Sequence, residues 1–219
     1  QGPLPQGLTE QAMGLVPMTL ARRQRAALAD LLEELGPFAP TECEGWQTQD
    51  LAAHLYVREH KVGALPGIGS EKFAPKTERI QRETLHELGY PALVEAIRTP
   101  GWIMFPVDNL VNSGEYFMHH EDVLRANGRV QVLKPGDQRD LWPMTKVLAR
   151  KTNMQFKGHV RLQRTDTGEV AQLGRGPKPL TIAGLPSEIL LHLSGRKADV
   201  AVTGEPAVVE AWQKAIKGL

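Results

Sequence analysis

Two predicted helices carry side chains that could bind a divalent metal ion. His54 lies three residues after Leu51 and three before Val57, which places it in the middle of the apolar stripe of its helix. Glu115 and His119 stand four residues apart on another helix, so their side chains share one face. Two imidazoles and one carboxylate are suitable zinc ligands, and three protein ligands leave a fourth position open, as in catalytic sites. The spacing is therefore compatible with a metal site that has an open position for chemistry.

The same residues also allow an interpretation without a metal. A single histidine that faces the interior is commonly a core residue hydrogen-bonded to a carbonyl group. A glutamate and a histidine four residues apart are common as a weak surface pair, and Glu115 lies at the edge of the apolar arc. Spacing alone leaves both interpretations open.

The helices that must position these residues are predicted from apolar periodicity and from stop signals. They are expected over residues 19–35, 48–60, 71–88, 91–98, 108–126 and 137–153. Thr48 is expected to cap the second helix, with Asp50 in its first turn. Pro143 is compatible with the last of these helices only if that helix begins close to it.

The pattern changes after residue 153. Short strands are expected near residues 156–162, 169–173, 179–182 and 199–202, with helices at 186–193 and 206–216. We therefore expect an α+β protein with a helical part, residues 18–153, and a small α/β part, residues 154–219. Residues 1–17 show no sustained period and are interpreted as a disordered extension or a cloning remnant.

The composition excludes several classes of protein. Lys and Arg number 26 against 25 Asp and Glu, and this net charge of +1 argues against a dedicated nucleic-acid binder. No stretch approaches the roughly 18 to 20 apolar residues of a membrane span. Cys43 is the only cysteine, which excludes a multi-cysteine zinc site and favours a reducing, cytoplasmic setting. A metal site here would have to be built from imidazole and carboxylate.

Two segments are similar to those of a known superfamily. Residues 43–55, CEGWQTQDLAAHL, and residues 115–123, EYFMHHEDV, resemble the DinB-like superfamily. Within it, the chain is similar to the mycothiol-dependent maleylpyruvate isomerase family over about residues 18–217. The resemblance implies a DinB-like four-helix bundle at the N-terminus, followed by a small α/β domain similar to sterol-carrier proteins.

The resemblance also implies a function. In that family a divalent metal is held by a histidine on the second helix and by a Glu-x-x-x-His pair on a later one, which match His54, Glu115 and His119 here. Zinc suits this ligand set best, although nickel or iron would also be accepted. The fourth ligand in the family is the sulfur of mycothiol, a low-molecular-weight thiol that then adds to an electrophilic small molecule. A metal- and thiol-dependent transferase or isomerase is therefore expected.

Other charged residues could support this chemistry. Asp50, Arg58 and Asp122 are candidates to hold the metal ligands, since a ligating imidazole usually needs an acceptor for its other N–H. Arg58 and Arg196 could bind a substrate, Arg196 by holding a carboxylate through two N–H groups. Each of these charges could equally be a solvated surface group. Cys43 has no basic neighbour in sequence and is interpreted as a small buried hydrophobe.

Two other classes of function stay open. The helical and α/β parts could enclose a small ligand or a lipid without turnover, with a structural metal that fixes its orientation. Alternatively, the protein could have a purely structural or interaction role in which the site is vacant or only adds stability.

Overall fold

Helices come first along the chain and a small sheet follows. The computed structural model describes residues 18–61, 74–101 and 108–217. Its helices are α1 (Leu20–Leu35), α2 (Thr48–His60), α3 (Ala74–Leu88), α4 (Tyr90–Ala96), α5 (Ser113–Ala126), α6 (Pro135–Phe156), α7 (Pro186–Leu193) and α8 (Pro206–Lys217). Its strands are β1 (Val160–Arg164), β2 (Val170–Leu173), β3 (Leu180–Gly184) and β4 (Ala201–Thr203). The predicted α+β class is confirmed.

The sheet has the strand order β2-β1-β3-β4. Strands β1 and β3 are parallel, with Val160 opposite Leu180 and Leu162 opposite Ile182, and the two outer pairings are antiparallel. These four side chains are fully buried because residues two apart on a strand point to the same face. Helices α6, α7 and α8 pack against that face, and Trp212 of α8 belongs to the same core cluster.

A second core joins helices α1, α2, α4 and α5. Its apolar members recur at helical spacing, as for Leu28 and Leu32 on α1 or Leu51 and Leu55 on α2, and all four are fully buried. This packing positions α2 and α5, the two helices that carry the candidate metal ligands.

A buried ion pair also fixes α1 against α2. Arg25 donates to both carboxylate oxygens of Glu59, at 2.9 and 2.8 Å, and both side chains are at most 1% exposed. Arg25 also donates to the hydroxyl of Tyr116 on α5, while Asn112 donates its amide to Glu59 at 3.0 Å. These polar groups connect three helices just beside the candidate site.

Two local predictions are corrected by the structure. Gln47, rather than Thr48, is the N-cap of α2: its N–H donates to Asp50, while the Thr48 hydroxyl donates to the carbonyl of Gly36 at 2.5 Å. Helix α6 begins eight residues before Pro143 and continues through it. Pro143 is exposed while its neighbour Trp142 is buried, so packing of the inner face outweighs the hydrogen bond that proline removes.

Some predictions lie outside what the structure describes or tests. Residues 1–17, and residues 71–73 at the start of the predicted third helix, are outside the described residues. The DinB type of the helical part, the sterol-carrier type of the α/β part and the division at residue 153 stay predictions. Within the described ranges, none of the helices combines the length and the apolar character that a membrane crossing requires.

Candidate metal centre

The structure brings His54, Glu115 and His119 together. Glu115 Oε1 lies 3.6 Å from His54 Nε2 and 3.4 Å from His119 Nε2. The two imidazole rings meet edge to face, with centroids 5.4 Å apart. Ligands about 2.0 Å from a tetrahedral zinc ion are about 3.3 Å apart, so the carboxylate-to-imidazole distances are close to those of a filled site. All three donor atoms lie within 4.8 Å of one another, close enough to hold a single divalent ion.

Asp122 orients the His119 ring by a hydrogen bond to Nδ1, the nitrogen that faces away from Glu115. Its Oδ2 lies 3.0 Å from His119 Nδ1, and because a carboxylate only accepts, the ring proton is on Nδ1. Asp122 is itself held by Arg196, whose Nε donates to Oδ1 and whose Nη2 donates to Oδ2, both at 2.6 Å. This arrangement directs the other ring nitrogen, Nε2, towards Glu115.

Different partners hold the other two candidate ligands. Gln81 of α3 places its amide 3.1 Å from His54 Nδ1, and the Trp46 ring lies 5.0 Å from the His54 ring. Arg58 Nε lies 3.3 Å from Glu115 Oε1. Each of the three ligands thus has its own support within the protein, as is usual around bound metals.

The surroundings shift the pKa values of the three ligands in different directions. Burial lowers the pKa of His54, which keeps this imidazole neutral. Burial alone would raise the pKa of Glu115, but the charge of Arg58 and hydrogen bonds from the two histidines hold it well below its usual range. Burial alone would lower the pKa of His119, but hydrogen bonds to Asp122 and other neighbours raise it well above its usual value. A metal ion bound through His119 Nε2 would therefore displace a proton from that nitrogen.

Cys43 lies beside this centre, contrary to its interpretation as a buried hydrophobe without a basic neighbour. The side chain is only half-buried, and its thiol donates to Asp122 Oδ2 at 3.2 Å. Its sulfur is 3.8 Å from His119 Nδ1. The sequence prediction failed because the basic neighbour comes from α5, 76 residues further along the chain.

Asp50 does not support His54. Its carboxylate accepts from Gln47 N at 2.9 Å and so belongs to the cap of α2. The group beside His54 Nδ1 is Gln81, which the sequence analysis missed. A signal was available: on helix α3, which is rich in charged residues, the uncharged polar residues Thr77, Gln81 and Thr84 recur at helical spacing, and all three are buried.

Both predicted arginines reach the centre, and each is bound to one of its carboxylates. Arg58 contacts Glu115 through Nε and donates through Nη1 to Asn112 at 2.5 Å. Arg196 binds Asp122 and exposes 24% of its side chain. Arg196 is thus placed to meet a molecule from solvent, whereas Arg58 is 7% exposed.

No protein-family model matches the chain, and no curated protein matches it. Among solved structures, the chain is similar to the mycothiol-dependent maleylpyruvate isomerase, with 18% identity, coverage of 85% of this chain and 90% of that chain, and a TM-score of 0.49. A point mutant of that isomerase gives 17% identity, the same coverage and a TM-score of 0.48.

Proposed function

We propose that the chain binds a divalent metal ion, zinc above all, through His54, Glu115 and His119. The observation that carries this proposal is the convergence of three donor atoms, each held by a different partner, at distances that suit one tetrahedral ion. Two neutral imidazoles and one carboxylate would leave a net charge of +1 on the bound zinc, which favours an anionic fourth ligand. Nickel or iron would fit the same donors.

We further propose that the site serves a thiol-dependent transferase or isomerase, as the resemblance of its two sequence segments implies. The metal would lower the pKa of a thiol in its open position and so supply a thiolate for attack on an electrophilic small molecule. Mycothiol, or another low-molecular-weight thiol, would be the cosubstrate.

The chain's own residues would prepare the site for this reaction. Asp122 keeps the His119 proton on Nδ1, which leaves Nε2 to act as a ligand. Gln81 now presents its amide nitrogen to His54 Nδ1, and a half-turn of the amide would present its oxygen to Nδ1–H and free His54 Nε2. Arg58 keeps Glu115 ionised. These supports reduce the reorganisation that ligand binding requires.

Arg196 is the residue best placed to hold an acidic substrate. Its bonds to both oxygens of Asp122 and to the carbonyl of Ser194 use three of its five N–H groups. The remaining N–H groups, on a partly exposed side chain, could donate to a carboxylate of the electrophile. We therefore propose Arg196 as the substrate-binding arginine and Arg58 as the one that positions Glu115.

Metal analysis of purified protein tests the ligand set. Wild type should carry one equivalent of zinc, whereas His54→Ala, Glu115→Gln and His119→Ala should each lose most of it. His86→Ala removes an exposed histidine of α3 and serves as the matched control, with full metal content expected. Equal zinc in wild type and His119→Ala would show that the assignment is wrong.

A second experiment tests whether a low-molecular-weight thiol binds the metal and takes part in the reaction. Cobalt-substituted protein should develop a sulfur-to-cobalt absorption when a low-molecular-weight thiol is added, and should then convert electrophiles at a thiol-dependent rate. The measurement belongs in a Cys43→Ser background, since the protein's own sulfur lies close to His119. Full metal loading without thiol coordination would refute the thiol reaction and leave the metal site intact. A co-purified lipid without turnover would instead favour a ligand-binding module.

A further inference from the structure

His119 presents its two ring nitrogens to two different groups of potential ligands. Nε2 faces Glu115 in the centre described above, while Nδ1 faces Asp122 and Cys43. On the Nδ1 side, Cys43 Sγ is 3.2 Å from Asp122 Oδ2 and 3.8 Å from His119 Nδ1, and the nitrogen is 3.0 Å from the carboxylate oxygen. Three potential donor atoms of three different kinds therefore converge there, whereas the composition led us to expect only imidazole and carboxylate ligands.

We propose that Cys43, His119 and Asp122 form a second metal-binding site, selective for thiophilic ions such as Cd²⁺, which shares His119 with the first. With the bond lengths of zinc, about 2.3 Å to sulfur and about 2.0 Å to nitrogen or oxygen, tetrahedral ligands are about 3.5 Å apart for a pair that includes sulfur and about 3.3 Å for the nitrogen–oxygen pair. A larger ion such as Cd²⁺ would require the three groups to move slightly apart. The observed separations of 3.8, 3.2 and 3.0 Å each lie within a few tenths of an ångström of these values. Thiolate is the ligand that soft ions prefer.

Backbone contacts hold Cys43 at this position. The N–H of Glu42 donates to the carbonyl of Asp122 at 3.0 Å, which ties the loop between α1 and α2 directly to α5. Within the loop, Thr41 donates its hydroxyl to the carbonyl of Trp46 at 2.9 Å, and Pro40 forms an isolated β-bridge with Gln47. The thiol is therefore built into the site rather than carried on an untethered segment.

The proton balance makes the two sites exclude one another. Binding at the second site releases the thiol proton of Cys43 and the Nδ1 proton of His119 to solvent, while Asp122, whose two oxygens both accept from Arg196, has no proton to lose. An imidazole that binds a metal through Nδ1 carries its remaining proton on Nε2, so Nε2 cannot bind a second ion. Removal of that proton as well would form an imidazolate anion, at a high cost in free energy. A soft ion at Cys43 would therefore withdraw His119 from the first site. Asp122 can keep its Oδ1 bond to Arg196 Nε in either state.

Cadmium titration of the metal-free full chain, in buffer without added thiol, tests this proposal, because bound zinc would otherwise compete for His119. We expect a sulfur-to-cadmium ultraviolet band that reaches its maximum at one equivalent of Cd²⁺. Cys43→Ser should abolish the band while zinc content stays at the wild-type level. His54→Ala should lose zinc but keep the band, with a cadmium affinity within about threefold of wild type. His119→Ala should weaken cadmium binding at least tenfold.

The outcomes separate this proposal from the first one. Absence of the band in wild type, or a band of unchanged affinity in His119→Ala, would overturn the second site, because the sulfur would then act without the histidine. A normal band together with zinc content that does not respond to His54→Ala would overturn the first site and support the second. Far-ultraviolet circular dichroism and thermal melting of each variant would exclude loss of fold as the cause.

Discussion

Replacing Asp122 by asparagine should weaken both the fold and the binding of metal. Both carboxylate oxygens of Asp122 accept from Arg196, each at 2.6 Å, and Oδ2 also faces His119 Nδ1. An asparagine amide has one oxygen and one NH₂ group, so in either orientation its NH₂ group faces an N–H donor of Arg196. The variant keeps the size of the side chain but removes the charge and one acceptor.

The magnitudes follow from burial. Asp122 is 2% exposed and Arg196 is 24% exposed. Breaking a fully buried ion pair costs about 3–5 kcal/mol, and the partial exposure of the arginine reduces this to about 2–3 kcal/mol in free energy of unfolding. Loss of the group that holds a ligating histidine typically weakens metal affinity by about 10- to 100-fold.

The chain offers a matched control in Asp166→Asn. Arg164 donates Nε and Nη2 to the two oxygens of Asp166, at 3.0 and 2.8 Å, in the same forked geometry. Here the arginine is the buried member, at 4% exposed, and Asp166 is 23% exposed, so its loss of stability should be the smaller one. The pair lies at the end of β1, in the α/β part. Both variants should lose stability in urea denaturation of the metal-free protein. Only Asp122→Asn should lose zinc affinity, measured by competition with a chromophoric chelator.

Two results would contradict this reasoning. If Asp122→Asn bound zinc with unchanged affinity, Asp122 would not support His119 as a ligand. If Asp166→Asn lost as much zinc affinity as Asp122→Asn, general destabilisation would explain the effect. The first result would also remove the main reason for assigning Nε2 of His119 to the metal.

Three further predictions concern the helical core. Gly101→Ala should lower the free energy of unfolding by about 1–3 kcal/mol in urea denaturation, because the new Cβ would lie 2.5 Å from the carbonyl oxygen of Glu59. Gly136→Ala is the control: its Cβ would have no atom nearer than 3.6 Å, so it should not destabilise the protein. Glu59→Gln removes the negative charge opposite Arg25 and should cost about 3–5 kcal/mol in the same assay, and a loss below about 1 kcal/mol would refute the importance of this pair. Burial lowers the pKa of His120 to about 4. The free energy of unfolding should therefore decrease as the pH is lowered from about 6.5 to about 4, by at most about 1.4 kcal/mol per pH unit. Urea midpoints measured at several pH values should show a shallower decrease in His120→Gln than in wild type.

Periodicity predicted the elements better than it predicted their details. The bounds of α7, Pro186–Leu193, match the prediction to the residue because proline and an apolar run define them locally. The π-helical turn Asp108–Asn112 was predicted as ordinary helix, since its widened hydrogen bonding has no local signature in composition. The passage of α6 through Pro143 likewise depends on packing of the opposite face, which the local sequence does not contain.

The candidate ligands could be predicted, but most of their supports could not. Helical spacing placed His54 in an apolar stripe and placed Glu115 and His119 on one face of another helix, with Glu115 at the edge of the apolar arc. The structure brings the three together, although their role as ligands stays a prediction. Gln81 and Cys43 reach the same histidines from other elements, and their contacts are set by how those elements pack rather than by spacing along one helix.

The α/β part contributes directly to the candidate metal centre, although all three proposed ligands lie on helices of the helical part. Arg196, in the loop after α7, binds Asp122 on α5, one turn beyond His119. Arg125, one turn further along α5, donates to the carbonyl of Lys197 at 2.7 Å and lies 3.5 Å from Glu188. These contacts hold the end of α5 against the segment around α7. A shift of that segment would therefore move the carboxylate of Asp122, which orients His119. Metal affinity should consequently depend on how the α/β part packs against α5.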